Sequence, residues 1–234
     1  MTPARLAEVM EATWPPAHAV RLGPWTVRNG AGGGKRVSAT TADGAWSHDD
    51  LPLAEAAMAA QGQPALFAIR DGETELDAAL AARGYRIVDP VVAYACAAAS
   101  LAPPPVMTTF PHWPPLAISR DLWAEGGVGP ARLAVMDRVA GPKAAILCRL
   151  ADRPCGVAFV ALSGSIAMLH ALEVSPGFRR QGSAHHILQA AAHWALDQGA
   201  DTLSLAVTVA NAPARALYAS LRMQGVGQYH YRQK

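Results

Sequence analysis

The sequence predicts a mixed α/β protein in which a central, twisted mixed sheet is flanked by helices. Short apolar runs bounded by glycine, proline or aspartate, such as residues 156–162, are typical of buried strands. Between such runs lie segments with apolar residues at helical spacing, of which residues 183–199 are the clearest. The chain has 234 residues, 51% of them hydrophobic, which is enough for one large domain or two small ones.

The first hundred residues alternate between helical and strand-like patterns. The predicted helices cover residues 5–13, 51–60 and 74–84. The predicted strands lie around Trp25, around Val37, at residues 65–70 and as a pair within residues 85–96. We therefore expect this half to mix helices and strands.

The stretch NGAGGGKRVS at residues 29–38 is similar to a phosphate-binding P-loop at first sight. That motif requires a glycine where Asn29 stands and a Mg²⁺-binding hydroxyl where Arg36 stands, so a nucleotide enzyme built on Lys35 is disfavoured. Because strand-like runs flank the stretch, we expect a glycine-rich hairpin turn, which could also contribute a flexible lip to a binding groove.

Proline is concentrated in residues 102–115, APPPVMTTFPHWPP. Proline fixes φ and lacks a backbone N–H, so neither a helix nor a central strand is expected to continue through this segment. We therefore predict a first domain at residues 1–104, a linker at 105–114 and a second domain at 115–234.

The second half predicts two short helices, three strands, a long amphipathic helix and then a strand, a helix and C-terminal strands. Asn211 is the expected N-cap of the last helix, with Pro213 in its first turn. Residues 203–226 also align without a gap on residues 65–88, with strand, helix and strand in the same order. An internal duplication is therefore predicted.

The loop VSPGFRRQGSAHH, at residues 174–186, joins a predicted strand to the amphipathic helix. A helix N-terminus presents unpaired N–H groups and a partial positive charge, both of which favour a diphosphate. Gly182 permits close approach of the backbone, and Arg179 and Arg180 add cationic donors. This loop is the predicted phosphate site.

Two motifs in this half resemble the GNAT-type N-acetyltransferases. The pattern Gln/Arg-x-x-Gly-x-Gly/Ala, with a preceding V-x-P, is matched by Val174, Pro176, Arg179, Gly182 and Ala184. The later pattern Asn-x-x-Ala-x-x-Leu-Tyr is matched by Asn211, Ala214, Leu217 and Tyr218. Residues 115–234 therefore resemble that family, with one departure at Arg222, where the family usually has glycine.

The resemblance implies a GNAT fold, a tandem of two GNAT-like halves, and acetyl-CoA as cosubstrate. It implies cofactor contacts from Leu172, Val174, Arg179, Arg180, Gln181, Gly182, Ser183, Ala184 and Asn211. It also implies that Tyr218 donates a proton to the departing thiolate, since a phenol has a pKa near 10. In the repeat alignment Glu73 and Leu80 stand where Asn211 and Tyr218 would be, so we expect the first half to be a degenerate GNAT-like domain without a cofactor loop.

The sequence offers more than one candidate for the general base. Family members with a base on the strand before the loop carry it near Met168, which makes His170 a candidate, although a lone histidine in an apolar strand is commonly a core residue. Strand alternation predicts that Glu173 points the other way. Tyr229, His230 and Tyr231 could instead line the acceptor site, or water could relay the proton.

Composition and charge disfavour some classes of binding partner. A net charge of +2 with 16% charged residues offers no basic stripe for nucleic acid or membrane lipid. The three cysteines are scattered and the N-terminal segment is not an apolar leader, which suits a cytoplasmic protein. The histidines of the long helix are expected to be solvated, so no bound metal is expected. We expect an acetyltransferase acting on a small-molecule or peptide amine, possible acceptors being amino acids, polyamines, aminoglycoside-like amines and protein N-termini, with a homodimer as the default state. The alternative is a catalytically silent acyl-CoA sensor or interaction module.

Overall fold

A computed structural model describes all residues from Met1 to Lys234. The helices are α1 (Pro3–Thr13), α2 (Lys35–Ser38), α3 (Leu51–Ala60), α4 (Thr74–Ala82), α5 (Ala117–Glu125), α6 (Pro130–Arg138), α7 (Ser183–Asp197) and α8 (Ala212–Ser220). The strands are β1 (His18–Leu22), β2 (Trp25–Asn29), β3 (Thr41–Ala42), β4 (Leu66–Arg70), β5 (Arg86–Ala97), β6 (Thr109–His112), β7 (Lys143–Leu150), β8 (Arg153–Ser163), β9 (Ile166–Val174), β10 (Thr202–Thr208) and β11 (Gln224–Gln233). None of the helices combines the length and apolar character needed to cross a membrane.

Eight strands form one sheet in the order β4-β11-β5-β10-β9-β8-β7-β6, and β1-β2-β3 form a second sheet. A parallel bridge between Thr40 and Phe67 connects the two sheets. All neighbours in the large sheet are antiparallel except β9 and β10. The predicted mixed sheet flanked by helices is confirmed.

The two halves are related by an approximate two-fold arrangement of strands. The gapless alignment equates Thr74 with Ala212, and these residues begin α4 and α8. Continuing the same offset beyond the aligned residues equates the pair Arg70–Tyr229 with the pair Thr208–Val91, and both pairs are in register in the structure. Each half therefore places its last strand in the sheet of the other half, so that β5 lies between β10 and β11, and β11 lies between β4 and β5.

Helices cover both faces of the sheet. On one face α7 buries Ile187 and Leu188 against the β7–β10 strands. On the other face α1 and α5 bury Trp14 and Trp123 against Phe159 of β8. Each face thus carries apolar core residues under its helices, as expected for a sheet buried on both sides.

The glycine-rich stretch differs from its prediction. Val37 lies in the single helical turn α2 rather than in a strand, and β3 begins only at Thr41, so the stretch is not a tight hairpin turn but part of a long connection between the antiparallel strands β2 and β3. The reason is packing, because Val37 is buried in the Trp123 core, and a Cβ at Gly33 would lie 2.6 Å from Val135 of α6. The stretch is therefore packed down against the second half.

Two further segments also differ in detail. The predicted strand pair within residues 85–96 is the single strand β5, which Asp89, at φ 44°, interrupts with an irregular register. Within the proline-rich segment, Thr109–His112 form β6 at the edge of the sheet. An edge strand tolerates Pro111, because its missing N–H would otherwise face solvent.

We expect the shared sheet to make the halves interdependent. Residues 105–234 expressed alone should lack a cooperative thermal unfolding transition, because β11 would lose both of its neighbours. Co-expression with residues 1–104 should restore the transition of the full chain, measured by circular dichroism. A lone second half that unfolds cooperatively at the temperature of the full chain would contradict this expectation.

Candidate functional site

A cavity opens where β9 and β10 separate. The two parallel strands pair only as far as Leu169 and Leu205, and beyond that point a cavity of about 600 Å³ lies between them. Both halves contribute to its walls. The lining side chains used below are Trp14, Lys35, Arg36, Asp89, Arg132, His170, Leu172, Glu173, Asn211, Tyr218, Tyr229 and Tyr231.

A β-bulge reorganises β9 beside this cavity. Ala171 has φ 48°, and the partners on β8 change from Phe159 opposite His170 to Val157 opposite Glu173. The extra residue resets the alternation of side chains, so His170 and Glu173 lie on the same face of the sheet. The prediction that Glu173 points away from His170 is therefore wrong.

The predicted phosphate loop presents an uninterrupted row of free donors. The backbone N–H groups of Arg180 to His185 donate to no acceptor within the chain, and the first amide to bond is that of His186. Arg180 and Gly182 have φ 63° and φ 89°, which curls the backbone so that successive amides face one side. Together with the start of α7 this arrangement suits an anion.

Most side chains of this loop hold the loop itself in place. Arg179 donates from Nε to the Val174 carbonyl at 3.0 Å, and Gln181 donates from Nε2 to the Gly177 carbonyl at 3.0 Å. The Ser183 hydroxyl accepts from the Cys155 thiol at 3.4 Å. Of the residues predicted to bind cofactor, these contribute chiefly backbone groups, while Leu172 and Asn211 line the cavity.

Tyr218 lies on α8 and is 5% exposed. Its ring packs on Tyr94 of β5, with centroids 5.7 Å apart. Burial and the neighbouring Tyr94 raise the pKa of Tyr218 to about 12. Its hydroxyl has no hydrogen bond within the chain and is not enclosed, so it faces the cavity as a protonated donor.

Asn211 is the N-cap of α8, as the sequence predicted. Its Oδ1 accepts from the backbone N–H of Ala214 at 3.1 Å and caps α8. Because α8 begins at this residue, the cap also fixes the position of Tyr218 two turns later.

His170 is held in a way that does not suit a general base. Arg36 donates from Nη1 to His170 Nδ1 at 3.0 Å, and His170 Nε2 donates to the Thr13 hydroxyl at 2.9 Å, which in turn donates to the Val9 carbonyl. Burial, and then the charge of Arg36, hold the pKa of His170 well below its ordinary value. Both ring nitrogens are therefore occupied, and the neutral ring has no free lone pair for a substrate proton.

Glu173 is the carboxylate that strand alternation predicted to face away from His170. It is half-buried at the cavity wall, and burial raises its pKa even though Arg179 and Arg132 act in the opposite direction. The absence of a side chain at Gly126 makes room for it, because a Cβ there would lie 2.6 Å from Glu173 Cγ. No signal in the sequence marks the bulge that brings Glu173 here.

Arg36 is the second functional candidate that sequence reasoning missed. It reaches the cavity from α2, beside Tyr229 and Tyr231. The neighbouring Lys35 is paired with Asp89 at 2.9 Å. The glycine-rich stretch thus borders the cavity, but it is packed rather than a flexible lip, and its contribution is a charged side chain.

The three candidate residues near the C-terminus do not all face the cavity. Tyr229 and Tyr231 line the cavity, whereas His230 lies on the other side of β11 and pairs with Asp77 at 2.6 Å. His193 is likewise used in structure, donating from Nε2 to the Leu101 carbonyl at 3.0 Å.

The corresponding position in the first half is closed. Arg70 bonds to Asp43 at 2.8 Å and to Glu73 at 2.8 Å between β4 and β3, and Leu80 is a core residue where α8 has Tyr218. The turn before α3 carries Asp49 and Asp50, and a capping box uses the backbone N–H groups of Ser47 and Asp50. Such a terminus repels a phosphate.

Comparisons with known proteins agree with this geometry. A sequence model of the acetyltransferase (GNAT) family matches residues 118–222. No match was found among curated proteins.

Solved structures share the fold along nearly the whole chain. A GCN5-related N-acetyltransferase from Kribbella flavida has a TM-score of 0.73 at 17% identity, with 99% of this chain and 95% of that chain covered. A tandem GNAT protein from the clavulanic acid biosynthesis pathway has a TM-score of 0.59 at 11% identity, with 96% and 86% covered. At these identities the likeness establishes the fold. The segment matched by the GNAT family model lies within the second half of the chain and spans the loop at residues 174–186, Asn211 and Tyr218.

Proposed function

We propose that the protein is an N-acetyltransferase that transfers the acetyl group of acetyl-CoA to a primary amine by direct attack in a ternary complex. The observation that carries this proposal is the row of six free amides at residues 180–185, which opens beside a cavity holding a protonated phenol and a carboxylate. A silent sensor would have no need of both groups on the cavity wall.

The residues present fit acetyl-CoA. Its diphosphate would lie on the amides from Arg180 to Ala184, with the Arg180 side chain as an added cation. Its pantetheine arm would follow the open edge of β9 near Leu172, where β10 no longer pairs. Bound in this way, the cosubstrate supplies an acyl group activated as a thioester.

Two side chains would carry out the proton transfers of the reaction. Glu173 accepts the proton that the amine loses as its nitrogen forms a bond to the acetyl carbon. When the carbon–sulfur bond breaks, Tyr218 donates its phenolic proton to the sulfur. Solvent then takes the proton from Glu173 and returns one to Tyr218, so the products are an amide and a free thiol.

His170 acts in this account as a positioning residue. Its neutral ring stacks on Trp14, with centroids 4.9 Å apart, and presents Nδ1 to Arg36. It thereby joins α1, β9 and α2 at the wall of the cavity.

The first prediction concerns the phosphate loop. Gly182→Glu places a side chain and a negative charge on a residue at φ 89°, so acetyl-CoA affinity should fall more than about tenfold, or 1.4 kcal/mol. Isothermal titration calorimetry measures this directly. Gly129→Glu is the matched control, because its φ of −86° suits any residue and a Cβ there meets nothing within 4 Å. Normal binding by Gly182→Glu would show that the diphosphate lies elsewhere.

The second prediction separates binding from turnover. Tyr218→Phe keeps the ring on Tyr94 but removes the donor, so acetyl-CoA should bind as before while kcat falls by roughly a hundredfold. Thiol release measures turnover and calorimetry measures binding. Turnover at the parent rate would mean that water or another residue protonates the sulfur.

The third prediction concerns pH. Glu173 must be ionised to accept a proton, and burial raises its pKa, so kcat should increase with pH through that raised value and then level off. Glu173→Gln should lower kcat by about a hundredfold or more and abolish this acidic limb. His170→Gln should keep the limb, because His170 is already neutral there. An acidic limb that persists in Glu173→Gln and disappears in His170→Gln would reverse the assignment.

A further inference from the structure

We propose that the acceptor is an amino-carboxylic acid, whose amine is acetylated beside Glu173 while its carboxylate binds Arg36 of the first half. This inference rests on the proposed N-acetyltransferase function and adds the chemical class of the acceptor. It would exclude polyamines and aminoglycoside-like amines, which carry no carboxylate.

The guanidinium of Arg36 has no anionic partner. No carboxylate lies within 4.0 Å of it, its Nη1 donates to the neutral His170 ring, and its Nε is enclosed without any partner. The two arginines that are buried in the chain are neutralised, Arg28 by Glu11 at 3.0 Å and Arg232 by Asp77 at 2.7 Å. Arg36 has an enclosed Nε and no such partner, and it lines a cavity.

A desolvated guanidinium without a counterion is unfavourable, since the attraction that normally offsets the loss of water is missing. Its planar fork matches a carboxylate, which can accept two parallel hydrogen bonds. A carboxylate entering the cavity would therefore supply the missing partner. Lys35 already forms an ion pair with Asp89, so a carboxylate at this wall should be attracted more strongly to Arg36 than to Lys35.

The surroundings keep the guanidinium in place and add a second donor. His170 is oriented by Thr13, which bonds to Val9, so the ring that holds Arg36 cannot turn freely. The hydroxyl of Tyr229 is buried near Arg36 and has no partner in the chain. A carboxylate at Arg36 could also accept a hydrogen bond from this phenol.

The two charges of the cavity suit a zwitterion. Glu173, with a negative charge when ionised, and Arg36 line the same cavity of about 600 Å³, where the other charged side chains are the Lys35–Asp89 pair and the exposed Arg132. An ammonium group at Glu173 and a carboxylate at Arg36 would both be neutralised by a single small molecule. Arg36 also borders an adjoining cavity of about 440 Å³, together with Trp14 and Tyr231, which leaves room for an acceptor larger than glycine.

The test compares matched amines on the full-length protein. Thiol release from acetyl-CoA is measured with glycine, β-alanine, 4-aminobutyrate, 6-aminohexanoate and the common α-amino acids, each against its primary amide. At least one carboxylate should exceed its amide in kcat/KM by more than about tenfold, as expected for a buried charge-assisted contact. Amides that react as well as their acids, or turnover confined to polyamines, would overturn the inference.

Three variants tie any preference to Arg36. Arg36→Met should remove the preference for the acid and leave acetyl-CoA affinity unchanged, and Arg36→Lys should retain part of it. Arg120→Met, which removes an exposed charge on α5, should behave like the parent. A preference that survives Arg36→Met in a protein that still melts cooperatively would contradict the assignment.

Cofactor binding separates this inference from the proposed function. If calorimetry detects no binding of acetyl-CoA by the parent protein, the proposed function fails. If acetyl-CoA binds and no member of the panel releases thiol, the acceptor class fails while cofactor binding stands.

Discussion

Beyond Leu169 and Leu205, β9 and β10 no longer share hydrogen bonds, and the extra residue at Ala171 turns the rest of β9 away from its neighbour. Three features of the site depend on this separation. It opens the cavity, exposes the edge on which an extended ligand can lie, and moves Glu173 to the face that carries His170. A parallel pair that continued in register would close the cavity and bury its polar groups without partners.

The first half shapes the site without having one of its own. Its strand β5 completes the sheet next to β10 and brings Tyr94 against the ring of Tyr218, while α1 and α2 bring Thr13 and Arg36. At the equivalent separation in the first half, Arg70 is bound by Asp43 and Glu73, so protein charges fill the place of a ligand. The strand exchange makes the first half necessary to the fold, since the sheet that carries the cavity is incomplete without β4 and β5.

Local patterns in the sequence predicted the features that depend on local chemistry. The amphipathic period of α7, the glycine at its start and the capping Asn211 each act within a few residues, and the alignment of residues 65–88 on 203–226 anticipated the repeat. The bulge could not be predicted, because Ala171 adopts a left-handed φ that its residue type does not favour. Arg36 was also missed, because its contact with His170 joins residues far apart in the chain.

The central claim is that the backbone amides opening α7 bind the diphosphate of acetyl-CoA. Hydrogen–deuterium exchange with and without acetyl-CoA tests this claim most directly, because those amides have no acceptor in the free chain. Slowed exchange at residues 180–185, with unchanged exchange at residues 47–50 before α3, is the predicted result. Unchanged exchange at residues 180–185 under saturating acetyl-CoA would contradict the account.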